Sequence, residues 1–405
     1  MLPMEGIRVV ELAAWTFVPA AGAVLAEWGA EVLKIEHPET GDPQRGLISS
    51  GLIPSGASGV NFFIEQPNHG KRSVAIDIGH PEGRQLLYKL CETADVFLTS
   101  WLPELRARQQ VDVEHIRAVN PNIIYVRGHG QGVRGPDAGK GAYDMSGYYT
   151  RSGVLATLMS TSTDDYGPAQ PSAFGDLPGG QTIAGGIAAA LLRRERTGES
   201  SIVDVSLLNF GMFVNSPAIV QAKLFEGQEV PPMTRANMPN PLVNRYFTSD
   251  GRLIQLVMLQ ANRFWPELVA AIGRPELADD ERFNTPAAMY ANRLEATAIL
   301  DDVFATRTFV EWKAALADIK GVWAPVQEPL ELYDDVQVVA NGYLGEAKSP
   351  TGVPFQLVTN PVQFDEVPAA LTRAPEHGEH TDAVLQELGL DYDEIIRLKL
   401  ENAIL

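Results

Sequence analysis

The chain has 405 residues, with 32 Lys and Arg against 51 Asp and Glu, a formal net charge of −19, 45% hydrophobic residues and one Cys. This balance is that of a globular protein and excludes a fibrous or wholly disordered chain; the single Cys excludes a disulfide framework or Cys-rich metal site and fits a reducing cytosol. The acidic field opposes nucleic acid and anionic membranes, so an anionic ligand would need local cations.

Residues 1–6 (MLPMEG) lack the basic region and apolar core of a secretory signal, and no apolar stretch approaches the ~20 residues of a spanning helix. The expectation is a soluble, cytoplasmic protein with no membrane partner. Residues 7–12 form a short β-branched run, 19–28 (PAAGAVLAEW) a helix stopped by Gly29, and 30–36 a second strand. That βαβ unit implies a parallel pair with a right-handed crossover. Strands follow at 73–78, 95–100 and 123–127, with helices at 81–93 and near 113–119 between them. The alternation predicts an α/β fold with an open, doubly wound parallel sheet. Ligands of such sheets bind beyond the carboxyl ends of the strands, which directs attention to the loops after Leu12, Glu36, Ser100 and Arg127.

After about Asn209 the texture changes. Residues 226–244 carry Pro231, Pro232, Pro239 and Pro241 and read as a connection. Residues 246–258 suggest a hairpin turning at Asp250 and Gly251, followed by helices near 262–272, 293–305 and 309–319. This predicts a separate small α+β domain. A strand over 352–357 and a helix from about Asp382 close the chain.

Gly130, Gly132 and Gly135 match G-x-G-x-x-G in spacing, but Pro136 follows and no helix begins there, so the dinucleotide-binding context fails. Gly139, Lys140 and Gly141 lack the spacing and the Ser or Thr of a P-loop. Both matches read as an irregular loop with left-handed residues. Residues 174–180 (FGDLPGG) lead into a helix over 181–194 that ends at Gly198. Asp176 thus lies just ahead of a helix N-terminus, where the dipole stabilises a carboxylate by ~0.3–1 kcal/mol and keeps it ionised. Two readings stay open, an N-cap and a nucleophile left approachable by its glycines.

His377 and His380 are not spaced as H-E-x-x-H and fit a surface turn, so no metal is expected. His129 fits either a satisfied loop histidine or a proton donor, and Cys91 an inert core position. Arg193 and Arg194 are explained by a helix C-terminus. Lys71 with Arg72, and Arg106 with Arg108, are either phosphate ligands or a solvated face.

A set of short segments then carries a resemblance: 6–12 (GIRVVEL), 28–36 (WGAEVLKIE), 70–73 (GKRS), 94–96 (ADV), 141–144 (GAYD), 174–176 (FGD), 196–198 (RTG), 324–326 (APV), 378–381 (GEHT) and 385–389 (LQELG). In this order and spacing the chain resembles the family III CoA-transferases (the CaiB/BaiF group), which include formyl-CoA:oxalate and carnitine CoA-transferases and the related α-methylacyl-CoA racemases. The resemblance implies a Rossmann-like large domain (1–210), a linker (211–244), an inserted small domain (245–330) and a return to the large domain (331–405), in an interlocked homodimer. It implies acyl-CoA and carboxylic acid substrates and no permanently bound cofactor. Asp176 matches the family nucleophile, which forms an aspartyl mixed anhydride and then an aspartyl-CoA thioester, with Tyr143 and Asp144 beside it. By position, the CoA contacts would be Trp15, Thr16, His37, Lys71, Arg72, Ser100, Trp101 and Arg108.

Three departures bear on the reaction. His37 stands where the family often has Arg, which weakens one phosphate contact. The racemases use a His-Asp pair where this chain has Tyr143 and Asp144, and a small-domain glutamate with no equivalent around 259–262; two-base exchange is disfavoured without them. Residues 238–242 (MPNPL) replace the glycine-repeat loop of the formyl-CoA members, which argues against oxalate or formate. Trp15, Phe17 and Trp101 would suit a larger, more apolar acyl group. A racemase and a non-catalytic CoA-binding homologue remain the alternatives.

Overall fold

The computed structural model describes residues 1–54, 59–160, 166–228 and 233–405; Pro231 and Pro232 lie outside the described residues. The chain forms two compact units, one of Met1–Thr157, Ala169–Leu224 and Val336–Leu405, the other of Leu158–Pro168 and Phe225–Asp335.

The elements run β1 (Arg8–Leu12), α1 (Phe17–Glu27), β2 (Glu31–Glu36), α2 (Phe62–Asn68), β3 (Arg72–Ala75), α3 (Pro81–Glu92), β4 (Val96–Thr99), α4 (Pro103–Arg108), α5 (Val113–Val119) and β5 (Ile124–His129). A π-helical turn (Met145–Arg151), α6 (Val154–Met159), α7 (Asp176–Thr197), β6 (Ile202–Ser206), α8 (Leu207–Val214) and α9 (Ser216–Leu224) follow. β1 to β6 form one parallel sheet in the order β3-β2-β1-β4-β5-β6. Strand order therefore reverses direction between β1 and β4, which opens a crevice at their carboxyl ends.

Two-residue periodicity sends alternate side chains to opposite faces, and both faces are buried. Val9, Val32, Val96, Leu98 and Val126 pack under α1 and α7, whereas Val10, Leu33, Ile35, Phe97 and Tyr125 pack under α3, α5 and the carboxyl-terminal helices. Cys91 belongs to the second core and is fully buried, which pushes its thiol pKa up and makes it inert. Helices α1 and α7 lie close because a Cβ at Gly180 would strike Ala20 and Ala21, and one at Gly179 the Phe17 ring. Those glycines serve helix packing, not ligand approach.

The second unit contains β7 (Arg245–Phe247), β8 (Leu253–Leu256), α10 (Ala261–Ala271), α11 (Pro286–Ala291), α12 (Arg293–Phe304), α13 (Phe309–Ala315) and β9 (Trp323–Pro325). β7 and β8 make the expected hairpin, and Trp265, Phe283, Phe304 and Trp312 fill its core. The chain then returns to the first unit through α14 (Val336–Asn341), the antiparallel pair β10 (Leu344–Lys348) and β11 (Pro354–Val358), α15 (Thr381–Glu387) and α16 (Tyr392–Leu400).

Three local expectations are corrected. α7 begins at Asp176, not at 181, because Pro178 is tolerated in a first helical turn and Gly175 supplies the N-cap. Residues 207–214 and 216–224 are helical, so the stretch expected as a linker begins with helix. β6 was not anticipated; Asp204 and Ser206 break its apolar pattern because each has a polar task at the sheet edge.

Candidate active site

Two cavities open at the carboxyl ends of the sheet, and Ala14 and Trp101 line both. The larger, about 420 Å³, lies at the crevice between β1 and β4 and takes its wall from Trp15, Phe17, Ser100, His129, Tyr143 and Asp176 among others. The smaller, about 240 Å³, sits beyond β1, β2 and β3 and includes Glu36, His37, Asp42 and Asp77.

The loop after β1 is held in a strained form. Trp15 has φ 68°, in the left-handed region, which costs a non-glycine residue on the order of 1–2 kcal/mol. Its N–H donates to Asp42 Oδ1 (3.3 Å), the preceding Ala14 N–H to Ser100 Oγ (3.2 Å), and Thr16 Oγ1 accepts from Gln44 Nε2 (2.7 Å). Asp42 is fixed in turn by the ammonium of Lys34 at 2.9 Å. The indole so placed meets the Tyr143 ring edge-on, with centroids 5.4 Å apart at 84°. The loop after β4 is pinned by Arg106, whose guanidinium donates to the Trp101 carbonyl (2.5 Å) and to Asp112 (3.3 Å).

Asp176 and Asp144 form the centre. Asp144 is buried, and its Oδ2 accepts from the N–H groups of Gly175 (2.9 Å) and Asp176 (3.4 Å). Asp144, from outside the helix, thus caps α7, and a Cβ at Gly175 would collide with Asp144 Oδ1 and the Tyr148 ring. Asp144 Oδ1 has no hydrogen-bond partner among the described residues. Asp176 is half-buried; burial, and secondarily the Asp144 charge, push its carboxyl up to about 7. The expectation of a dipole-stabilised, fully ionised carboxylate is therefore overturned. A shift of that size corresponds to roughly 4 kcal/mol, several times what a helix end returns. Nor do first-turn amides stand free for an oxyanion: two are taken by Asp144, Leu177 N–H goes to Ala173 O (3.1 Å), and Pro178 has none.

The remaining expected residues divide. Trp15, Ser100, Trp101, Tyr143 and Asp176 share the larger cavity, with Thr16 and Asp144 directly behind its wall. His37 is exposed at the smaller one, its Nε2 3.9 Å from Asp77. Arg108 is exposed at the end of α4. Lys71 is not brought to either cavity: its ammonium is sealed in the interior on Glu11 (2.8 Å), Asn68 (3.0 Å) and the Pro19 carbonyl (2.8 Å). Arg72 pairs with Glu31 and Glu387 at 2.7 Å each. His377 and His380 serve turns, through the His37 carbonyl and the Ser73 N–H. Among the described residues no cluster of three or more His, Cys, Asp or Glu could hold a metal.

Sequence reasoning missed three supports, Asp42, Arg106 as a loop anchor, and Asp204. The last holds His129 Nε2 (3.1 Å) and Arg127 (2.7 Å), and the only signal was a polar residue inside a β-branched run.

Comparisons with known proteins identify the family. A family model described as CoA-transferase family III matches residues 4–381. The chain is 33% identical over 399 residues, 98% of each chain, to (R)-2-hydroxy-4-methylpentanoate CoA-transferase of Clostridioides difficile. It is 31% identical over 404 residues, 99% of this chain and 97% of the other, to cinnamoyl-CoA:phenyllactate CoA-transferase of Clostridium sporogenes. Among solved structures, a CAIB/BAIF family protein from Brucella suis superposes with a TM-score of 0.80 at 30% identity, covering 96% of this chain and 99% of that one.

Proposed function

The chain belongs to CoA-transferase family III and is an enzyme of that family, and from that premise we propose that it moves CoA from an acyl-CoA thioester to a carboxylic acid with Asp176 as nucleophile. The observation that carries this reading is a carboxyl group in the cavity wall, desolvated, beside a second carboxylate and with no Lys or Arg among the described residues that line the cavity. Poised near neutrality, Asp176 is substantially ionised at cellular pH, and its poorly solvated oxygen is a stronger nucleophile than a hydrated one.

In the first step an Asp176 oxygen attacks the thioester carbonyl carbon and the C–S bond breaks, giving an aspartyl mixed anhydride and CoA thiolate. The thiolate then attacks the Asp176 carbonyl, releasing the donor acid as its carboxylate and leaving an aspartyl-CoA thioester. The acceptor carboxylate displaces the thiolate in the same way, and the thiolate attacks the new acyl carbonyl to give the product thioester and restore Asp176. Each step exchanges one anion for another, so no net proton moves. Asp144 orients Asp176 by fixing the start of α7, and Tyr143 with Trp15 shields the anhydride from water. The nucleotide end of CoA enters the smaller cavity past His37, with Arg108 exposed at the end of α4, and the thioester passes Trp101 and Ser100 into the larger one, in front of Thr16. Lys71 and Arg72 act through the fold beneath that path.

The two CoA-transferases named above carry 2-hydroxy acids in their names, and the larger cavity, walled by Phe17, Val18, Leu102 and Leu207, supports a branched or aromatic acid of that kind. We extend the reading to an interlocked homodimer with the small domain inserted; exposed Met212, Phe213, Val220 and Leu224 on α8 and α9 supply apolar surface for it. Incubation with acyl-CoA alone, followed by hydroxylamine and peptide mass spectrometry, should place a hydroxamate on Asp176. A modified residue elsewhere, or turnover without any adduct, overturns the mechanism.

A further inference from the structure

His129 ends β5, and the sheet register sets Arg127 and His129 on one face of that strand beside Asp204 of β6. All three interact. Asp204 Oδ1 accepts from Arg127 Nε (2.7 Å) and lies 3.1 Å from His129 Nε2, and Asp204 Oδ2 lies 3.1 Å from the second Arg127 nitrogen. Only 8% of His129 is exposed, and the residue lines the same cavity as Asp176.

We propose that His129 is a specificity-determining residue that receives the hydroxyl of a 2-hydroxyacyl group whose thioester carbon faces Asp176. The inference rests on the CoA transfer proposed above and deepens it by naming the substrate's polar substituent. Three arguments carry it. First, in the neutral imidazole a carboxylate facing Nε2 favours the proton on that nitrogen, which makes Nδ1 the accepting one. Burial alone would raise Asp204, but the hydrogen bonds from His129 and Arg127 hold it down at about 2, so the carboxylate is charged whenever the enzyme works. Second, His129 lines the cavity and Nδ1 forms no hydrogen bond among the described residues, so its lone pair is open to a ligand O–H. Third, a second carboxylate fits worse than a hydroxyl. The residues around the cavity include no Lys or Arg, and Asp144 and Asp176 already burden it with negative charge.

The test compares acceptor kcat/KM for 2-hydroxy-4-methylpentanoate and 4-methylpentanoate from one acyl-CoA donor, in the full-length enzyme and its His129→Phe and His129→Gln variants. The wild type should favour the hydroxy acid about tenfold, the size of one good hydrogen bond. His129→Phe should bring the ratio to within about twofold of unity, chiefly by loss on the hydroxy acid. His129→Gln, which keeps an accepting oxygen, should retain part of the preference and serves alone if the Phe variant does not fold. A wild-type ratio near one, or a ratio that neither variant changes, overturns the inference. So does a preference for a dicarboxylic acid that His129→Phe abolishes, because the ligand would then be an anion. Asp176→Ala separates the two readings: if it still transfers CoA, the nucleophile assignment falls. If it is inactive and the ratio ignores His129, only the present inference falls.

Discussion

Two groups of carboxylates in the first unit, one buried with lysines and one without, behave oppositely. Around Glu11, the ammonium groups of Lys34 and Lys71 and the carboxylate of Asp42 are all withdrawn from water, and every charge faces an opposite one. Burial pulls Lys34 down, but Asp42, Glu11 and Glu36 outweigh it and its pKa is raised; for Lys71 burial, helped by the Lys34 charge, outweighs Glu11 and Asp42 and holds it below the ordinary lysine range. At the other site, Asp144 and Asp176 meet with no cation between them, and Asp144 Oδ1 has no hydrogen-bond partner among the described residues. The first arrangement fixes a loop; the second stores electrostatic stress in a cavity wall. Burial alone does not make a carboxyl reactive. Leaving the charge uncompensated does.

The contrast can be broken most sharply at Asp176. Asp176→Asn keeps size and polarity but cannot form the anhydride, and kcat should fall by at least about a thousandfold, measured as CoA transfer by mass spectrometry. The equivalent insult to the paired cluster should act on folding instead. Glu11→Gln leaves the buried Lys71 ammonium facing a neutral side chain while Lys34 keeps Asp42, and denaturant unfolding should show a loss of about 3–5 kcal/mol.

The same Asp176→Asn variant sharpens the comparison through stability. Because the folded-state pKa of Asp176 lies near 7, above its unfolded value, the native state holds the extra proton between about pH 4 and pH 7. Its contribution is complete below pH 4 and is lost as pH rises through 7. The variant should therefore be more stable than wild type at pH 8, by up to about 3 kcal/mol, and no more stable at pH 4. Equal melting differences at both pH values would remove the uncompensated-charge account.

Asp144→Asn removes the neighbouring charge but not the burial, which is the larger cause. The acid limb of kcat/KM, expected near pH 7 in the wild type, should move down by about one pH unit. The smallest effect belongs to Asp42→Asn, which weakens the link between the paired cluster and the strained Trp15. We expect KM for acyl-CoA to rise about fivefold with kcat less affected, and the quenching of Trp fluorescence on CoA binding to diminish.

Much of the sheet was legible because both its faces are covered, so each strand appears as a compact apolar run between glycine or proline stops. β6 was not, because Asp204 and Ser206 interrupt the run at the sheet edge. Asp176 and its partners Tyr143 and Asp144 stood out as a segment pattern, yet whether the aspartate capped its helix could not be read from spacing. The structure gives that task to Asp144, thirty-two positions away along the chain. Lys71 shows the converse error. Next to Arg72 in a line of text it resembles a phosphate ligand, and only the fold reveals Glu11 opposite it.

Periodicity, stop residues and the order of short segments were enough to determine the alternating architecture and the family, because each depends on neighbours within a few positions. The raised pKa of Asp176, the contact of His129 with Asp204 and the strain at Trp15 were decided by tertiary structure alone. Each depends on the charge and water excluded by residues that are distant in sequence, and electrostatic energy in a low-dielectric interior is set by distance in space.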